Sequence, residues 1–163
     1  HTRLQGDWSS DVCSSDLEAK EIIDSYFNEF PSVKNYMDHS INIAREKQYA
    51  ETILGRKRYL RDIDSRNFTL RGFAERNAIN TPIQGSAADI IKLSMISINS
   101  WIKENNFQSK MIMQVHDELV FDVVNAELEE FQFGIKKIME NAIKIKVPLT
   151  VDVGTGKTWL QAH

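Results

Sequence analysis

The sequence contains almost no cysteine, with Cys13 as the single example in 163 residues. One cysteine cannot form an intrachain disulfide, and zinc or redox sites built from several thiolates are excluded for the same reason. Such a composition is typical of a reducing compartment, so we expect a cytoplasmic location.

Long apolar runs are missing too. No stretch approaches the roughly 20 consecutive apolar residues that a bilayer crossing requires, and no basic and apolar signal segment opens the sequence. We therefore expect no membrane association. With 42% hydrophobic residues over the length of about one domain, the chain has enough apolar material to bury a core.

An excess of positive charge is also missing, since the net charge is −3 and the pI is about 5.8. A protein that binds nucleic acid with its whole surface would need that excess to neutralise phosphates. The distribution differs from the total, however. Between Gly55 and Arg76 seven basic residues outnumber three acidic ones, which gives +4 and leaves −7 for the rest of the chain. This basic stretch is either a solvated surface or a contact surface for phosphates.

Residues 1–17 differ in composition from the rest of the chain. They are rich in Ser and Asp, show no helical or strand periodicity and contain the lone cysteine. They are similar to translated sequencing-adapter sequence, so we expect a non-native or disordered leader. An ordinary disordered terminus is the alternative.

Residues 18–48 carry the apolar spacing of two amphipathic helices. Apolar side chains recur every three or four positions until Pro31 breaks the pattern, and Ser32 is suited to cap the next helix. We expect a helical hairpin. Beyond it, alternation on both sides of Gly55 predicts two short strands around a turn at 54–56.

Helical patterns return further along the chain. Residues 71–80 are predicted to form a short helix that Thr81-Pro82 interrupts, because the residue before a proline is biased away from helical geometry. A long amphipathic helix follows over 83–102, and its apolar spacing leaves Asp89 on the outer face. Another amphipathic helix is predicted over 126–143.

The segment QVHDELVFDV, residues 114–123, places three titratable side chains in a run of apolar and β-branched residues. If the flanks are two arms of a hairpin, His116, Asp117 and Glu118 lie at its apex. At a turn the two carboxylates can approach one site, where a divalent cation would offset their repulsion. Oxygen ligands without cysteine favour Mg²⁺ or Mn²⁺ over zinc. The alternative is a hairpin with an ordinary polar turn.

The order of the elements indicates the fold class. Strands interleaved with helices, a central hairpin, and an alternating segment at 151–153 that predicts a further strand are typical of an α+β fold with a small antiparallel sheet.

Three separated segments carry a resemblance to a known family. MIMQVHDELVFDV (111–123) is similar to the metal-binding hairpin of family A DNA polymerases, and ERNAINTPIQGSAADIIK (75–92) is similar to their long palm helix and the turn before it. VPLTVDVGTGKTWLQAH (147–163) is similar to their carboxyl terminus. From about Glu18 to His163, the chain resembles the C-terminal part of that family's polymerase domain.

The resemblance implies a polymerase palm whose small antiparallel sheet packs on long helices, over residues 49–163. Residues 18–48 would be the end of the fingers. It implies template-directed addition of deoxynucleotides to a primer 3′ end in DNA replication and repair, with two Mg²⁺ ions, or Mn²⁺, as cofactors. The implied partners are primer-template DNA and deoxynucleoside triphosphates, and we expect a monomer.

The resemblance also implies roles for the hairpin residues as the catalytic group. Asp117 would bridge the metal ions, Glu118 would be a weaker or outer ligand, and His116 would lie against the primer terminus and contact DNA.

Five further residues would bind DNA. Asn80 and Gln84 would donate hydrogen bonds to minor-groove acceptors, which are nearly the same for every base pair. Arg71 and Arg76 would bind primer or template phosphates, and Arg56 is a looser candidate for the same role.

A second interpretation stays open, because the family's other metal-binding aspartate and its nucleotide-binding fingers helix do not occur in this sequence. The chain would then be a catalytically incomplete fragment that acts only as a duplex DNA-binding scaffold.

Overall fold

The computed structural model describes residues 11–162. This part of the chain divides into two compact units. The first comprises the chain through Ala50 together with Tyr59–Ile79, and the second comprises Glu51–Arg58 and the chain from Asn80 onward. Helices and small two-stranded sheets make up the described residues, so the predicted α+β class is confirmed.

The first unit opens with the expected helical hairpin, formed by α1 (Asp11–Glu29) and α2 (Pro31–Lys47). The predicted start at Glu18 is wrong, because the backbone is already helical from Asp11. Once a helix is nucleated, each added residue forms a further hydrogen bond at little cost, so helices extend beyond their amphipathic part. Whether residues 1–17 are native stays a prediction, and residues 1–10 lie outside the described residues.

The boundary between α1 and α2 also differs from the prediction. Phe30 occupies the N-cap position and Pro31 is the first helical residue, so the assignment of Ser32 as the cap is wrong. Proline is favoured at this position because its missing N–H would have no helical partner there and its φ angle is already helical.

The two short strands predicted around Gly55 are confirmed as β1 (Tyr49–Glu51) and β2 (Lys57–Tyr59), which pair in a two-stranded sheet. Gly55 has a φ angle of 83°, a conformation that glycine adopts without steric cost. Helix α3 (Phe68–Asn80) follows and begins three residues before the predicted helix.

The core of the first unit consists of small and aliphatic side chains: Ala44, Ala50, Leu60, Ile63, Ala74 and Ala78. Two polar contacts join α2 and α3 in the same unit. The hydroxyl of Tyr36 donates to the carbonyl oxygen of Ile79 over 3.3 Å, and Arg45 forms an ion pair of 2.6 Å with Glu75.

The second unit contains the remaining elements. They are a π-helical segment (Thr81–Gly85), α4 (Ser86–Glu104), β3 (Lys110–Val115), β4 (Glu118–Asp122), a 3-10 turn (Asn125–Glu127), α5 (Leu128–Glu140) and α6 (Trp159–Ala162). Strands β3 and β4 form an antiparallel hairpin.

An aromatic cluster forms the core of the second unit. Phe131 of α5 is fully buried with Ile98 of α4, and its ring lies 5.6 Å from that of Trp101. Complete burial of a phenylalanine contributes about 1.5–3 kcal/mol. Gly134 of α5 lies directly against Trp101, where an added Cβ atom would be 2.3 Å from a ring carbon. The β3–β4 hairpin packs on this cluster and is thereby fixed to the helices.

The predicted strand at 151–153 is wrong, since no regular strand is formed there. A strand needs a neighbour that accepts its backbone hydrogen bonds, and both sheets of the described chain consist of two strands only. The N–H of Val151 donates to Oε1 of Glu140 instead, over 3.3 Å.

None of the helices within residues 11–162 combines the length and the apolar character that a bilayer crossing demands.

Candidate functional site

The acidic candidate site lies at the tip of the β3–β4 hairpin. Val115 pairs with Glu118, so the turn consists of His116 and Asp117 alone. His116 has a φ angle of 53°, in the left-handed region where histidine is enriched among non-glycine residues. Gln114 Nε2 donates a hydrogen bond of 3.0 Å to the carbonyl oxygen of His116 and holds this conformation. The predicted apex is confirmed for these two residues, and Glu118 is the first residue of β4.

The ladder of the hairpin is irregular further from the tip. Met111 pairs with Phe121 and Met113 pairs with Val120, so Ile112 is an additional residue in β3. Such a β-bulge locally increases the twist of the strand. The side chains of Ile112 and Met113 are 61% and 42% exposed.

The carboxylate of Asp117 is exposed and forms no hydrogen bond or ion pair in the part of the chain that the structure describes. Glu118 is half-buried beside it. Among residues 11–162 no group of three His, Cys, Asp or Glu side chains is arranged to hold a metal ion. Mg²⁺ is commonly bound through one or two carboxylates together with water and substrate phosphates. The oxygen donors at the tip therefore fit Mg²⁺ as part of a ligand set.

Two amide side chains lie where α3 gives way to α4. Asn80 is the last residue of α3, Gln84 lies in the π-helical segment, and both are exposed. Asn80 makes no capping hydrogen bond with its side chain, so a capping role does not account for it. Pro82 has no N–H to continue the α-helical ladder, and the chain widens there into a π turn, a feature frequent at functional sites. The α-helix is interrupted at the predicted place, but the expected departure from helical geometry is wrong, because the chain stays helical from Thr81 to Gly85. Both amides are exposed and so available to a ligand.

Arg71 and Arg76, the predicted phosphate ligands, lie on α3 in the first unit and differ in their surroundings. Nη1 of Arg71 donates to the carbonyl oxygen of Ser65 over 3.0 Å, and its Nε lies 3.8 Å from Oε1 of Glu75. Arg76 is exposed, with its guanidinium 6.0 Å from the centre of the Phe73 ring, and it forms no ion pair within the described residues. Arg76 is therefore the freer of the two for binding phosphate.

Arg56, the third basic candidate, binds Asp89 of α4 within the second unit. Its Nε lies 2.8 Å from Oδ1 of Asp89, and its Nη2 donates to the carbonyl oxygen of Gly85 over 3.0 Å. The hydroxyl of Thr52 donates to Oδ2 of Asp89 over 2.7 Å. This hydrogen bond, assisted by Arg56, holds the pKa of Asp89 below its usual range although burial acts in the opposite direction. The prediction that Asp89 lies on the outer face is wrong, because these donors satisfy the buried carboxylate.

Glu127 closes the base of the hairpin, a role that the sequence did not reveal. Its carboxylate accepts hydrogen bonds from the backbone N–H of Gln108 at 2.9 Å and from the N–H and Oγ of Ser109 at 3.0 and 2.5 Å. The Oγ of Ser109 in turn accepts from the N–H of Val124 at 3.0 Å. The donors at Gln108 and Ser109 hold the pKa of Glu127 below its usual range.

Seven of the eight predicted site residues therefore fall into three groups, and the roles of all eight stay predictions. His116, Asp117 and Glu118 share the hairpin tip, Asn80 and Gln84 share one helical junction, and Arg71 and Arg76 share α3. Arg56 stands apart, since two of its donors are already bound.

Comparison with known proteins places this geometry in context. The family model described as DNA polymerase family A matches residues 7–161. The chain is 51% identical over 154 residues to DNA polymerase I of Streptococcus pneumoniae serotype 4, which covers 94% of this chain and 18% of that polymerase. It is 45% identical over 145 residues to DNA polymerase I of Bacillus subtilis, covering 89% of this chain and 16% of that one.

A solved structure is similar as well. It is the POL domain of Pol1 from M. smegmatis in complex with DNA primer-template and dNTP, with a TM-score of 0.86 and 45% identity. The similarity covers 89% of this chain and 26% of that one. The chain thus spans less than a fifth of the curated relatives named above. It belongs to DNA polymerase family A.

Proposed function

We propose that the chain forms the C-terminal part of the polymerase domain of a DNA-directed DNA polymerase, with residues 18–48 at the end of the fingers and residues 49–163 in the palm. The observation that carries this proposal is the exposed carboxylate of Asp117 on a two-residue turn in a chain of this family. In the reaction, the primer 3′-hydroxyl oxygen bonds to the α-phosphorus of a deoxynucleoside triphosphate. The bond from that phosphorus to the bridging oxygen breaks, pyrophosphate leaves, and the hydroxyl proton passes to solvent water.

The hairpin tip would hold the cofactor. Asp117 would bind two Mg²⁺ ions, or Mn²⁺ in their place, with Glu118 as the weaker ligand. Either metal would supply Lewis-acid stabilisation of the charge on the phosphate oxygens. His116 is exposed beside Asp117, and its ring can donate a hydrogen bond to a sugar or phosphate oxygen of the primer end. The two-residue turn supports this proposal, because it brings the three positions to one end of the hairpin.

The helical junction would contact the duplex. The amides of Asn80 and Gln84 would donate to minor-groove acceptors that are common to all base pairs, so they would test the shape of a pair without reading its sequence. Arg76 would bind a backbone phosphate. Arg71 and Arg56 would contribute less, because their guanidinium groups already bind protein acceptors.

A chimera tests the polymerase assignment. Residues 18–163 would replace the matching segment of the S. pneumoniae DNA polymerase I, and primer extension would be measured for the chimera and for its Asp117→Ala variant. We expect a loss of about 3 kcal/mol or more, or about 100-fold in rate, because a charge-stabilising ligand is removed. Asp122→Ala is the matched control, since Asp122 is an exposed aspartate at the far end of β4.

The control should change the rate by no more than about twofold, as is usual for surface positions. Equal rates for the chimera and its Asp117→Ala variant would contradict the proposal.

For the 163-residue chain by itself we propose duplex binding without nucleotide addition. The tip of the hairpin offers two carboxylates as metal ligands, and residues 11–162 hold no group of three potential ligands. The amides of Asn80 and Gln84 and the guanidinium of Arg76 are exposed and can bind DNA without a metal ion. Affinity for a primer-template duplex should fall with salt, and Arg76→Gln should lower the salt slope by about one. Arg61→Gln, at another exposed arginine, should leave the salt slope unchanged. Primer extension by the chain alone would contradict this proposal.

A further inference from the structure

A buried polar cluster surrounds Asp89 in the second unit, outside the predicted site. Both carboxylate oxygens are used, one by the Thr52 hydroxyl at 2.7 Å and the other by Nε of Arg56 at 2.8 Å. The same hydroxyl accepts a hydrogen bond from the backbone N–H of Arg56 at 3.1 Å. Each of these hydrogen bonds therefore has a defined donor and acceptor, and together they hold the turn at 52–56 against α4.

The turn at 52–56 contacts the chain directly after Gln84, at Gly85 and Ser86. Nη2 of Arg56 donates to the carbonyl oxygen of Gly85, the next residue. Ser86 Oγ accepts from the N–H of Ile53 at 2.9 Å and donates to the carbonyl oxygen of Pro82. The turn therefore holds the backbone that follows Gln84, and the bond from Ser86 to Pro82 spans Gln84 within the helix, while the Gln84 side chain stays exposed.

Close packing reinforces these hydrogen bonds. A Cβ atom added at Gly85 would lie 2.7 Å from Cγ2 of Thr52, which is closer than any two such atoms can approach. The π-helical segment therefore rests directly on the turn, and a displacement of Thr52 would leave the segment without its support.

We propose that Asp89 is a positioning residue for duplex recognition. By holding Thr52 and Arg56 it fixes the π-helical segment, so that the amide of Gln84 is presented in one orientation to the minor-groove edge of a base pair. This proposal rests on the proposed function of Gln84. It gives Arg56 a role through the backbone of Gly85, beside its smaller contribution to phosphate binding.

The direction of the change in duplex affinity distinguishes a positioning role of Asp89 from a purely electrostatic one. Removing a negative charge from a DNA-binding protein strengthens its attraction to phosphates, and releasing Arg56 would add a free cation. Asp89→Asn should nevertheless weaken binding of a primer-template duplex by about threefold to tenfold, the equivalent of one hydrogen bond lost at Gln84. Tighter binding would overturn the proposal.

The experiment measures fluorescence anisotropy of the 163-residue chain with two duplexes. One is unmodified, and the other carries a 3-deazapurine at the terminal pair and so lacks the minor-groove N3 acceptor. The wild-type chain should bind the modified duplex about threefold to tenfold more weakly. Asp89→Asn and Thr52→Val should bind both duplexes equally weakly, since the donor is already displaced. Continued discrimination by both variants would overturn the proposal.

Two further variants serve as controls. Thr52→Ser keeps the hydroxyl and should behave as the wild type, which excludes a loss of folding at this position as the cause. Asp38→Asn removes the same charge from an exposed position of α2 and should still discriminate between the two duplexes.

Amide hydrogen exchange separates this proposal from the proposed function. In Asp89→Asn without DNA, the amides of Ile53 and Arg56 should exchange about tenfold faster, while those of β3 and β4 should not change. Unchanged exchange at Ile53 and Arg56 would overturn the positioning role. If the wild-type chain fails to distinguish the duplexes, DNA recognition by Gln84 is overturned, and faster exchange would still identify Asp89 as the residue that holds the segment.

Discussion

Nε of Arg56 and Oδ1 of Asp89 lie 2.8 Å apart, in an ion pair whose carboxylate is buried and whose guanidinium is half exposed. The pair changes how the basic stretch between Gly55 and Arg76 is interpreted as a phosphate-binding surface. One of its cations stabilises the fold, and Arg71 is bound to Ser65 and Glu75 in the same stretch. Fewer positive charges are free for phosphates than the sequence indicates.

The stability of the chain should depend on the ionisation of Asp89. Its pKa is lowered in the folded state, so its contribution is complete above the pKa of an ordinary carboxyl group and is lost as the pH falls through the folded value. Asp89→Asn should lower the free energy of unfolding at pH 7 by about 1–3 kcal/mol. This difference should shrink below about pH 4, as urea unfolding over a pH series would show. A difference that does not vary with pH would contradict the assignment, and Asp38→Asn is the control.

Gly134→Ala should destabilise the second unit. The added methyl group would lie 2.3 Å from the Trp101 ring, and the helices would have to separate at a cost of about 1–3 kcal/mol. Gly72→Ala is the matched control in α3, since the nearest atom there is an Arg76 nitrogen at 3.7 Å. That substitution should stabilise by about 0.5–1 kcal/mol because alanine favours the helix. Thermal melts of the two variants should shift in opposite directions.

Gly85→Ala should be destabilising because of a steric overlap with Thr52, and the substitution Thr52→Ser should relieve that overlap. The new methyl group would overlap Cγ2 of Thr52, an atom that serine lacks. We expect Gly85→Ala to cost about 1–3 kcal/mol, and Thr52→Ser to recover much of that loss in the double variant. A double-mutant cycle in urea measures the coupling. Additive effects would show that the two residues do not touch.

The turn at His116 should tolerate some side chains and reject others. Its left-handed conformation is accessible to asparagine but strained for β-branched residues. We therefore expect His116→Val to reduce the free energy of unfolding by about 1–2 kcal/mol and His116→Asn to change it little. Chemical denaturation in the absence of DNA tests this backbone effect separately from any role in catalysis. Equal stabilities would contradict it.

Local patterns were sufficient for much of the fold. The alternating apolar arms around His116 and Asp117 predicted the hairpin and its tip, because pleating and tight turns depend on near neighbours. Helix boundaries were less accurate, as at Pro31, which was expected to break the first helix and proves to be the first residue of the second.

Contacts between distant residues were not predictable from one sequence. Asp89 was assigned to solvent, and its partners Thr52 and Arg56 lie 37 and 33 positions away. Glu127 likewise binds Ser109 across 18 positions. The strand expected near Val151 failed for a related reason, since its alternating pattern does not supply a partner for its backbone. Sequence periodicity indicates which side chains prefer burial, but not which polar groups meet there.

The bulge at Ile112 has a consequence for self-association. Exposed apolar side chains at Ile112 and Met113 would make a flat strand a template for a second copy of the chain. The additional residue disrupts the even spacing of outward N–H and C=O groups, so an incoming strand cannot match β3 along its whole length. The β3 edge of the hairpin that presents Asp117 is thereby a poorer template for edge-to-edge pairing than a regular strand would be.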